Sequence, residues 1–434
     1  MTPTGGFGGR HERGRTATLL IAILVVALIA ESGVIALFVS ERGSTSSTHS
    51  LSGTSTTSLQ SVSRTSATSS QSAWAPTTAM LVATAYSGVA TLPDGRVLVA
   101  GGFLGAVSPA VVSSSQIYDP ASKTWSDTGS MHYPRAGFLA VLLDDGKVLV
   151  AGGEVAQNNL TNTAEIYDPT TGSWTMTGSM TFPRLDYQAV LLNDGRVFVV
   201  GGTLVNGSSP AEIYDPSTGS WTLTPPQLFP RTDTLAVKLN DGSVLVAGGA
   251  TAKAPTTLSE IYNPSTNAWS QTGSLNEPRS DGGAALLRNG DVLFAGGYVV
   301  YNGSSNSINY LYTAELYNAT TSKWTLTGDM ASPRGEMGGS TVLLNDGDVL
   351  VPGGNYQPET GQTSAELYNS TTGTWTPAGN MSAPRGSGAM AVLLKDGDVL
   401  TFGGLYPHAC AFCGTVTLRA GDLAIASADI YTPG

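Results

Sequence analysis

The sequence predicts an all-β fold built from seven repeated units, each with four short strands. Two landmarks recur in step along the chain. Glycine pairs begin at Gly101, Gly152, Gly201, Gly248, Gly296, Gly353 and Gly403. A tyrosine follows each pair, at Tyr118, Tyr167, Tyr214, Tyr262, Tyr317, Tyr368 and Tyr431. A period of about 50 residues is typical of propeller blades or solenoid repeats.

The composition agrees with this fold class. The 434 residues include 53 glycines, only 12% are charged, and Asp-Gly and Asn-Gly pairs are frequent. Such a chain is typical of β proteins with many tight turns. The formal net charge is −11, and no stripe of Lys and Arg is present to neutralise phosphates, so we expect no nucleic-acid partner.

The four strands of a unit follow one another in a regular order. "AVLLNDGRVFVVGG", from residue 189, contains two strands around an Asp-Gly pair, which predicts a type I′ hairpin. "AEIYDP" forms the third strand, and the fourth begins at a tryptophan. The glycine pair ends the second strand, and we expect a Trp or Tyr side chain to pack against it.

These motifs resemble the kelch repeat. The markers are "PR", "DG", "VLVAGG" and "AEIYDPTTGSW", followed by Met, and the resemblance covers essentially all of residues 74–434. It implies a seven-bladed β-propeller with one four-stranded blade per repeat. Only the segment between the glycine pair and the tyrosine varies greatly in length, so we expect the variable connections to share one end of the propeller, where function resides on many rigid scaffolds.

The ends of the chain predict how the ring closes. "ADIYTPG" ends three residues after Tyr431, so the last blade lacks its tryptophan strand. Trp74 precedes Met80 by six residues, the spacing that Trp125 keeps to Met131. We therefore expect an N-terminal outer strand at Trp74 to complete the C-terminal blade and the propeller to span 73–434. Each blade then has one structural tryptophan, and these are Trp74, Trp125, Trp174, Trp221, Trp269, Trp324 and Trp375.

The N-terminal region predicts a membrane attachment. Residues 1–15 are basic and form a short cytoplasmic tail, whereas 16–40 are apolar apart from Glu31 and polar positions near both ends, and would span about 35 Å as a helix. This segment is either an uncleaved signal anchor or a cleaved signal peptide. Residues 41–72 are mostly Ser and Thr and predict a disordered stalk. In either case we expect the propeller on the extracytoplasmic side of the cell membrane, or secreted.

Buried ion pairs are predicted inside six blades. An arginine follows a proline at one position of each of these blades, at Arg135, Arg184, Arg231, Arg279, Arg334 and Arg385. A carboxylate precedes the "IY" or "LY" of the same blades, at Glu165, Glu212, Glu260, Glu315, Glu366 and Asp429. The first blade has Thr84 and Gln116 instead, so both charges are lost together. This predicts a structural pair within each blade, bidentate where geometry permits; degeneracy of the first repeat is the alternative.

Two residues after these arginines, the sequence differs between blades. The residues there are Tyr86, Gly137, Asp186, Asp233, Asp281, Glu336 and Ser387. Four carboxylates in consecutive blades predict an acidic arc around one end of the axial channel. The arc would either bind a cation or cationic ligand, with Ca²⁺ as the candidate cofactor, or hydrogen-bond to loop amides.

Tyrosines near this arc are further candidates for binding. Tyr187 follows Asp186, and the loop "YVVYNGSSNSINYLY" contributes Tyr301 and Tyr310. Tyrosine and asparagine suit adaptable recognition surfaces. A blade insertion packed on its neighbour is the alternative for this loop.

Catalytic motifs are scarce. The two cysteines, Cys410 and Cys413, predict a local disulfide outside the cytoplasm, with a metal site or a redox pair as alternatives. Resemblance to copper-radical oxidases, a catalytic group of kelch-like propellers, would imply two His, two Tyr and a Tyr–Cys crosslink, but the propeller contains only His132 and His408. We therefore assign no catalytic residue and no resident metal.

The function predicted from the sequence is recognition. We expect a membrane-anchored module that binds a protein or a carbohydrate through the end bearing the variable connections. A secreted copper-radical-type oxidase and a structural envelope protein are the alternatives.

Overall fold

The computed structural model describes residues 73–434 except 106–109, 157–158, 205–206, 209, 252–254, 301–307, 338, 357–359 and 407–422. The predicted signal anchor and stalk, Tyr301, His408, Cys410 and Cys413 therefore lie outside the described residues. Every regular element in the described part is a β-strand. Among these residues no helix is long and apolar enough to cross a membrane.

Thirty-six strands follow in chain order. The first is β1 (Ala73–Thr77), which belongs to the last blade. Blade 1 consists of β2 (Gly88–Thr91), β3 (Val97–Ala100), β4 (Ser115–Asp119) and β5 (Thr124–Thr128). Blade 2 and its accessory hairpin consist of β6 (Ala140–Leu142), β7 (Val148–Ala151), β8 (Glu154–Ala156), β9 (Asn159–Leu160), β10 (Ala164–Asp168) and β11 (Ser173–Thr177). Blade 3 consists of β12 (Leu185–Leu191), β13 (Val197–Leu204), β14 (Gly207–Ser208), β15 (Glu212–Asp215) and β16 (Ser220–Leu223).

The remaining blades repeat this order. Blade 4 consists of β17 (Leu235–Lys238), β18 (Val244–Ala247), β19 (Ser259–Asn263) and β20 (Ala268–Gln271). Blade 5 consists of β21 (Gly283–Leu286), β22 (Val292–Ala295), β23 (Tyr298–Val300), β24 (Ile308–Tyr310), β25 (Ala314–Asn318) and β26 (Lys323–Leu326). Blade 6 consists of β27 (Val342–Leu343), β28 (Val349–Pro352), β29 (Asn355–Tyr356), β30 (Thr360–Asn369) and β31 (Thr374–Arg385). Blade 7 consists of β32 (Ala389–Leu393), β33 (Val399–Gly403), β34 (Leu405–Tyr406), β35 (Leu423–Ala424) and β36 (Ala428–Thr432), with β1.

Each blade is an antiparallel meander of four strands, which we call a to d from first to last. The a strands of neighbouring blades contact one another, β2 with β6, β6 with β12 and so on to β32, so they surround the axis. In this meander the b–c and d–a connections share one end of the propeller, which we call the variable face. The all-β, seven-bladed propeller predicted from the sequence is confirmed.

The two chain ends close the ring as predicted. β1 pairs antiparallel with β36, and Trp74 lies opposite Tyr431. The Trp74 indole N–H donates to the Ala378 carbonyl of blade 6 at 2.7 Å. On the other side, the Trp125 indole donates to the carbonyl of Thr78, just after β1, at 2.9 Å. Strand d of the last blade is therefore held by both neighbouring blades.

The b strands form the core between blades. Strands β3, β7 and β18 share the sequence "VLVA", and all four residues of each are buried. One cluster joins Leu98 of blade 1, Leu149 of blade 2 and Val197 of blade 3. A strand covered on both faces favours a continuous apolar run over alternation, which explains this sequence.

The hairpin turn differs from the prediction. In a type I′ turn both central residues have positive φ, but here only the glycine does, with φ of 96° at Gly95. Gly95 N–H donates to the Leu92 carbonyl at 2.9 Å, and Leu92 N–H donates to Arg96 at 2.7 Å. This is a type I turn followed by a left-handed glycine, so the type I′ prediction is wrong: the extra residue moves the positive φ onto glycine alone.

The partner of the glycine pair also differs from the prediction. Gly153 N–H donates 2.8 Å to the Arg184 carbonyl of the next blade. A Cβ added to Gly152 would lie 2.8 Å from that same oxygen and 2.8 Å from Cε of Met180. The expectation of a Trp or Tyr neighbour is wrong, because the pair makes room for the backbone and methionine of the next blade.

Candidate functional site

Seven residues with left-handed backbone conformation form a ring at the start of the a strands. Their φ values lie between 48° and 70°, and they are Tyr86, Gly137, Asp186, Asp233, Asp281, Glu336 and Gly388. Six occupy the predicted position, but in blade 7 the residue is Gly388 and not Ser387, because the chain there is displaced by one residue. Positive φ is uncommon outside glycine and is tolerated best by Asp and Asn, so Tyr86 and Glu336 are unusual.

Hydrogen bonds between blades enforce this conformation. Gly137 N–H donates to the Tyr86 carbonyl at 2.9 Å, and Asp186 N–H donates to Gly137 at 3.1 Å. Asp281 N–H likewise donates to the Asp233 carbonyl at 3.1 Å. Since each bond joins neighbouring blades, the ring brings together side chains that lie far apart in the sequence.

These side chains line a cavity of about 110 Å³ on the axis, which we call the axial pocket. The carboxylates of Asp186, Asp233, Asp281 and Glu336 all line it. Aromatic and apolar side chains complete the walls, namely Tyr86, Phe138, Tyr187 and Met390. No Lys, Arg or His is among the described residues that line the axial pocket.

The uncompensated charge perturbs the carboxylates. The pKa of Asp186 is raised well above its usual value, first by burial and then by the charges of Asp233, Asp281, Glu154 and Glu336. Burial raises the pKa of Asp233 to about 6. Oδ2 of Asp186 is buried and accepts no hydrogen bond from any residue that the structure describes. A carboxylate in this state gains from any cation that enters.

Glu336 is the most buried member of the acidic arc, at 6% exposure. Ser387 Oγ donates to its Oε2, and the Tyr310 hydroxyl approaches its Oε1 at 3.4 Å. Tyr310 itself is buried on strand β24, where its ring meets that of Tyr298 edge-on, with centroids 6.3 Å apart. The expectation of an exposed recognition residue at Tyr310 is wrong, because the β23–β24 hairpin folds it against the next blade.

Tyr187 is also more enclosed than expected. It is 3% exposed, and its hydroxyl donates to the Ala151 carbonyl of the preceding blade. Burial raises the pKa of Tyr187 to about 12. Its ring lines the axial pocket, but its hydroxyl already has a partner between the blades.

The residue directly after each glycine pair belongs to the same site, and the sequence analysis missed it. Ala136 pairs with Glu154, and Ser280 pairs with Tyr298, through isolated β-bridges beside the left-handed ring. Glu154 contributes to the raised pKa of Asp186, and Tyr298 hydrogen-bonds to Asp233. The signal was present as a position that varies between blades immediately after an invariant landmark.

The predicted ion pairs are present within all six blades. Four of them measure 2.8 Å (Arg135–Glu165), 3.0 Å (Arg279–Glu315), 2.9 Å (Arg334–Glu366) and 2.7 Å (Arg385–Asp429). The other two are Arg184–Glu212 and Arg231–Glu260. None is a fork of two parallel bonds, contrary to the bidentate expectation, because the second carboxylate oxygen and the second guanidinium nitrogen bond to the backbone.

Blade 2 shows how each pair is satisfied. Glu165 accepts the N–H of His132 at 2.7 Å and that of Tyr133 at 3.2 Å. Arg135 Nη1 donates to the carbonyls of Gly152 at 2.8 Å and Thr163 at 3.0 Å. The pair thus ties the d–a connection to the ends of strands b and c.

Blade 1 keeps these backbone contacts without the charges. Gln116 Oε1 accepts the N–H of Leu81 at 2.9 Å, and Gln116 Nε2 donates to the Val82 carbonyl at 2.8 Å. The amide supplies both an acceptor and a donor, so a neutral residue does the work of the pair. The first repeat is therefore a complete blade with a different solution.

The tryptophans occupy equivalent places on the d strands. The indoles of Trp174, Trp221 and Trp375 each donate at 2.8 Å to a glycine carbonyl of the preceding blade. Trp269 donates to Pro225 at 3.0 Å, and Trp324 donates to Ser259 Oγ at 3.1 Å. They connect the outer rim of one blade to the next.

No group of three or more His, Cys, Asp or Glu among the described residues is arranged to hold a metal ion. Nδ1 of His132 lies 2.9 Å from Glu165, and His132 does not line the axial pocket. The described residues therefore do not fit the imidazole-rich copper site that an oxidase would need, while His408 lies outside them.

Comparison with known proteins supports the kelch resemblance. The family model described as the Kelch motif matches residues 135–181 and 186–227, the parts of the chain that form most of blades 2 and 3. A search of curated proteins by sequence found no match. The recognition of kelch repeats in a seven-bladed propeller is confirmed by these motif matches together with the sheet order.

Two solved structures illustrate the likeness of fold. One is a novel fungal alcohol oxidase with catalytic diversity among the AA5 family, in complex with copper; it has a TM-score of 0.65 and 18% identity, over 83% of this chain and 76% of that one. The other is YjhT, with a TM-score of 0.55 and 17% identity, over 69% of this chain and 98% of that one. At such identities the likeness shows the fold.

Proposed function

We propose that this chain is a membrane-anchored, extracytoplasmic recognition module that binds a protein or carbohydrate through the variable face of its propeller. The kelch propeller fold itself suggests an interaction module. The apolar N-terminal segment supports the membrane attachment and the extracytoplasmic side, in the way argued from its basic flank.

One observation carries the proposal. Nine large hydrophobic side chains are exposed among the described residues, and six of them lie in b–c or d–a connections. These six are Leu81, Leu104, Tyr133, Leu228, Tyr312 and Tyr356. None of the nine lies in an a–b or c–d turn, because the other three, Met176, Leu223 and Leu326, are on the d strands. Exposed tyrosines around a central pocket are typical of a recognition surface.

The test uses the full chain in mild detergent, screened against a glycan array and a displayed protein library. Ligands are then measured with two triple variants of equal size. Tyr133→Ala, Tyr312→Ala and Tyr356→Ala remove aromatic contacts from the variable face, whereas Met176→Ala, Leu223→Ala and Leu326→Ala remove exposed apolar groups from the rim. We expect the first variant alone to weaken binding, by about tenfold or more.

Two results would contradict the proposal. One is an equal loss of binding in both variants, which would place the contact elsewhere or reveal nonspecific adhesion. The other is a ligand whose binding is unaffected by the variable-face variant while the rim variant abolishes it. Protease protection of the propeller in intact cells tests the proposed location, and degradation only after lysis would contradict it.

A further inference from the structure

We propose that the axial pocket receives the primary ammonium group of a lysine side chain presented by a protein partner. This inference rests on the proposed function and specifies its ligand class. Four observations carry it: the charge of the pocket, an unsatisfied carboxylate oxygen, the spread of the acidic groups and the apolar walls.

The pocket carries negative charge without an internal counter-charge. Asp186, Asp233, Asp281 and Glu336 line it, and no cationic side chain does so among the described residues. The nearest arginine in sequence, Arg184, is buried and bonded to Glu212, so it is committed elsewhere. Buried carboxylates are costly unless they are protonated or paired, and here a pairing cation must come from outside the described chain.

Asp186 supplies a specific attachment point. Its Oδ2 is shielded from solvent and accepts no hydrogen bond from the described residues, although the side chain lines the axial pocket. An orphaned carboxylate oxygen costs free energy that a charged donor would recover. The backbone at Asp186 is held by the bond to Gly137, so the oxygen cannot easily turn away.

The arrangement favours an organic ammonium over a metal ion. Ca²⁺ requires six to eight oxygens at about 2.3–2.6 Å from one point, whereas no group of three acidic or imidazole side chains among the described residues converges in that way. The volume of about 110 Å³ is well above the roughly 10–15 Å³ that one water needs. The carboxylates therefore surround a space large enough for a group bigger than a bare ion.

The walls suit the stem of a lysine. Phe138 is buried, and its ring lines the pocket together with Tyr86 and Met390. A lysine buries its four-carbon stem against apolar groups, and its ammonium is attracted to aromatic faces. The ammonium also has three donors that can point to carboxylates on different blades, while the planar arginine fork is matched to a single carboxylate.

The decisive measurement is titration of the full chain, in mild detergent at pH 8, with Nα-acetyl-lysine methylamide. The matched neutral probe is the same compound acetylated on Nε. The matched variants are Asp186→Asn in the pocket and Asp194→Asn, an exposed turn residue bonded to Arg196. Asparagine tolerates positive φ, so Asp186→Asn preserves the backbone, and thermal melting verifies its fold.

We expect the lysine probe to bind the wild type and Asp194→Asn equally and to bind Asp186→Asn about tenfold more weakly, with no binding of the neutral probe. Equal binding of the neutral probe, or an unchanged affinity in Asp186→Asn, would overturn the inference. Ca²⁺ that displaces the probe and raises the melting temperature through Asp186 would replace it with a metal site. Tighter binding of 1,4-diaminobutane than of the lysine probe would overturn the protein source in favour of a free amine.

Failure here and failure of the proposed function are separable. If no amine binds, but a ligand from the screen still depends on Tyr133, Tyr312 and Tyr356, the lysine inference is wrong and the recognition module stands. If the lysine probe binds through Asp186 while the variable-face variant changes no ligand, the pocket is a small-amine site and the recognition surface is wrong.

Discussion

Two sets of buried charges lie side by side in this propeller and behave in opposite ways. In blade 3, Arg184 and Asp186 are separated by one residue. Arg184 is fully buried and bonded to Glu212, whereas Asp186 has a buried oxygen without a partner among the described residues. The first set is compensated within each blade. The second set faces the axis and is compensated by nothing that lines the pocket.

The difference teaches which buried charges stabilise the fold. Every paired carboxylate also accepts backbone N–H groups, as Glu165 does from His132 and Tyr133. Buried pairs are stable when their remaining hydrogen-bond capacity is used in this way. In the acidic arc, by contrast, mutual repulsion and burial raise the pKa of Asp186, which indicates a site built for something other than stability.

Blade 1 is a natural control for the paired set. Its Gln116 makes the contacts to Leu81 and Val82 without any charge. The essential role of the pair is therefore to hold the d–a connection against strand c, and charge is one of two ways to do so. No comparable neutral substitute occupies all positions of the acidic arc.

The largest expected effect comes from breaking one pair. Glu212→Ala leaves the buried Arg184 unpaired and should lower the free energy of unfolding by about 3–5 kcal/mol. In an Arg184→Ala background the same change should cost much less, because no charge is left stranded. Urea denaturation of the two single variants and the double variant measures the coupling. Additive losses would show that the pair is not a unit.

The next effect tests whether the structural framework is continuous through the blade made from both chain ends. Trp74→Ala removes the indole that packs on Tyr431, with centroids 5.1 Å apart, and bonds to Ala378. We expect a loss of about 3 kcal/mol, at the lower end for tryptophan because Trp74 is partly exposed. Trp174→Ala is the internal comparison. A neutral outcome for Trp74→Ala alone would mean that the ring closes without it.

The smallest effect concerns the acidic arc and depends on pH. The folded protein holds the pKa of Asp233 at about 6, above the ordinary value of an aspartate near 3.9. The folded state therefore binds the proton more tightly, and this stabilisation is complete below about pH 4 and is lost as the pH rises through 6. Asp186, Asp281, Glu336 and Tyr298 are the titratable groups around it.

Replacing Asp233 by Asn should remove this loss. Relative to the wild type, Asp233→Asn should gain up to about 2 kcal/mol in free energy of unfolding between pH 4 and pH 7.5. Asp194→Asn is the control, because its hydrogen bond to Arg196 lowers the pKa of Asp194 and predicts no gain at high pH. Parallel stability curves for Asp233→Asn and the wild type would contradict the assignment of uncompensated charge to the arc.

Much of the fold was predictable because its signals are repeated. The glycine pairs, the tyrosines and the tryptophan spacing specify blade number, strand order and the role of β1, and the structure confirms each of these. The turn type and the partner of the glycine pair were wrong, because both depend on the neighbouring blade and not on the local pattern. The segments before residue 73 and the two cysteines lie outside the described residues, so their predictions stay predictions.

The candidate site was predictable only in part. The offset from the arginine identified Asp186, Asp233, Asp281 and Glu336, since the blade is a fixed ruler. It failed at Ser387, where one extra step moves Gly388 into the ring. It also missed Glu154 and Tyr298, which approach the arc from the b–c connection of the same blade through β-bridges.

The sequence by itself determined the repeat, the blade count, the closing strand and the pairing of buried charges, because each depends on spacing that is the same in every blade. Only the tertiary structure decided that the acidic side chains converge without a counter-charge, that Tyr187 and Tyr310 are buried, and that the exposed tyrosines gather on one face. These properties arise between blades, where residues about 50 positions apart in the sequence meet, and no local pattern records the distance between them.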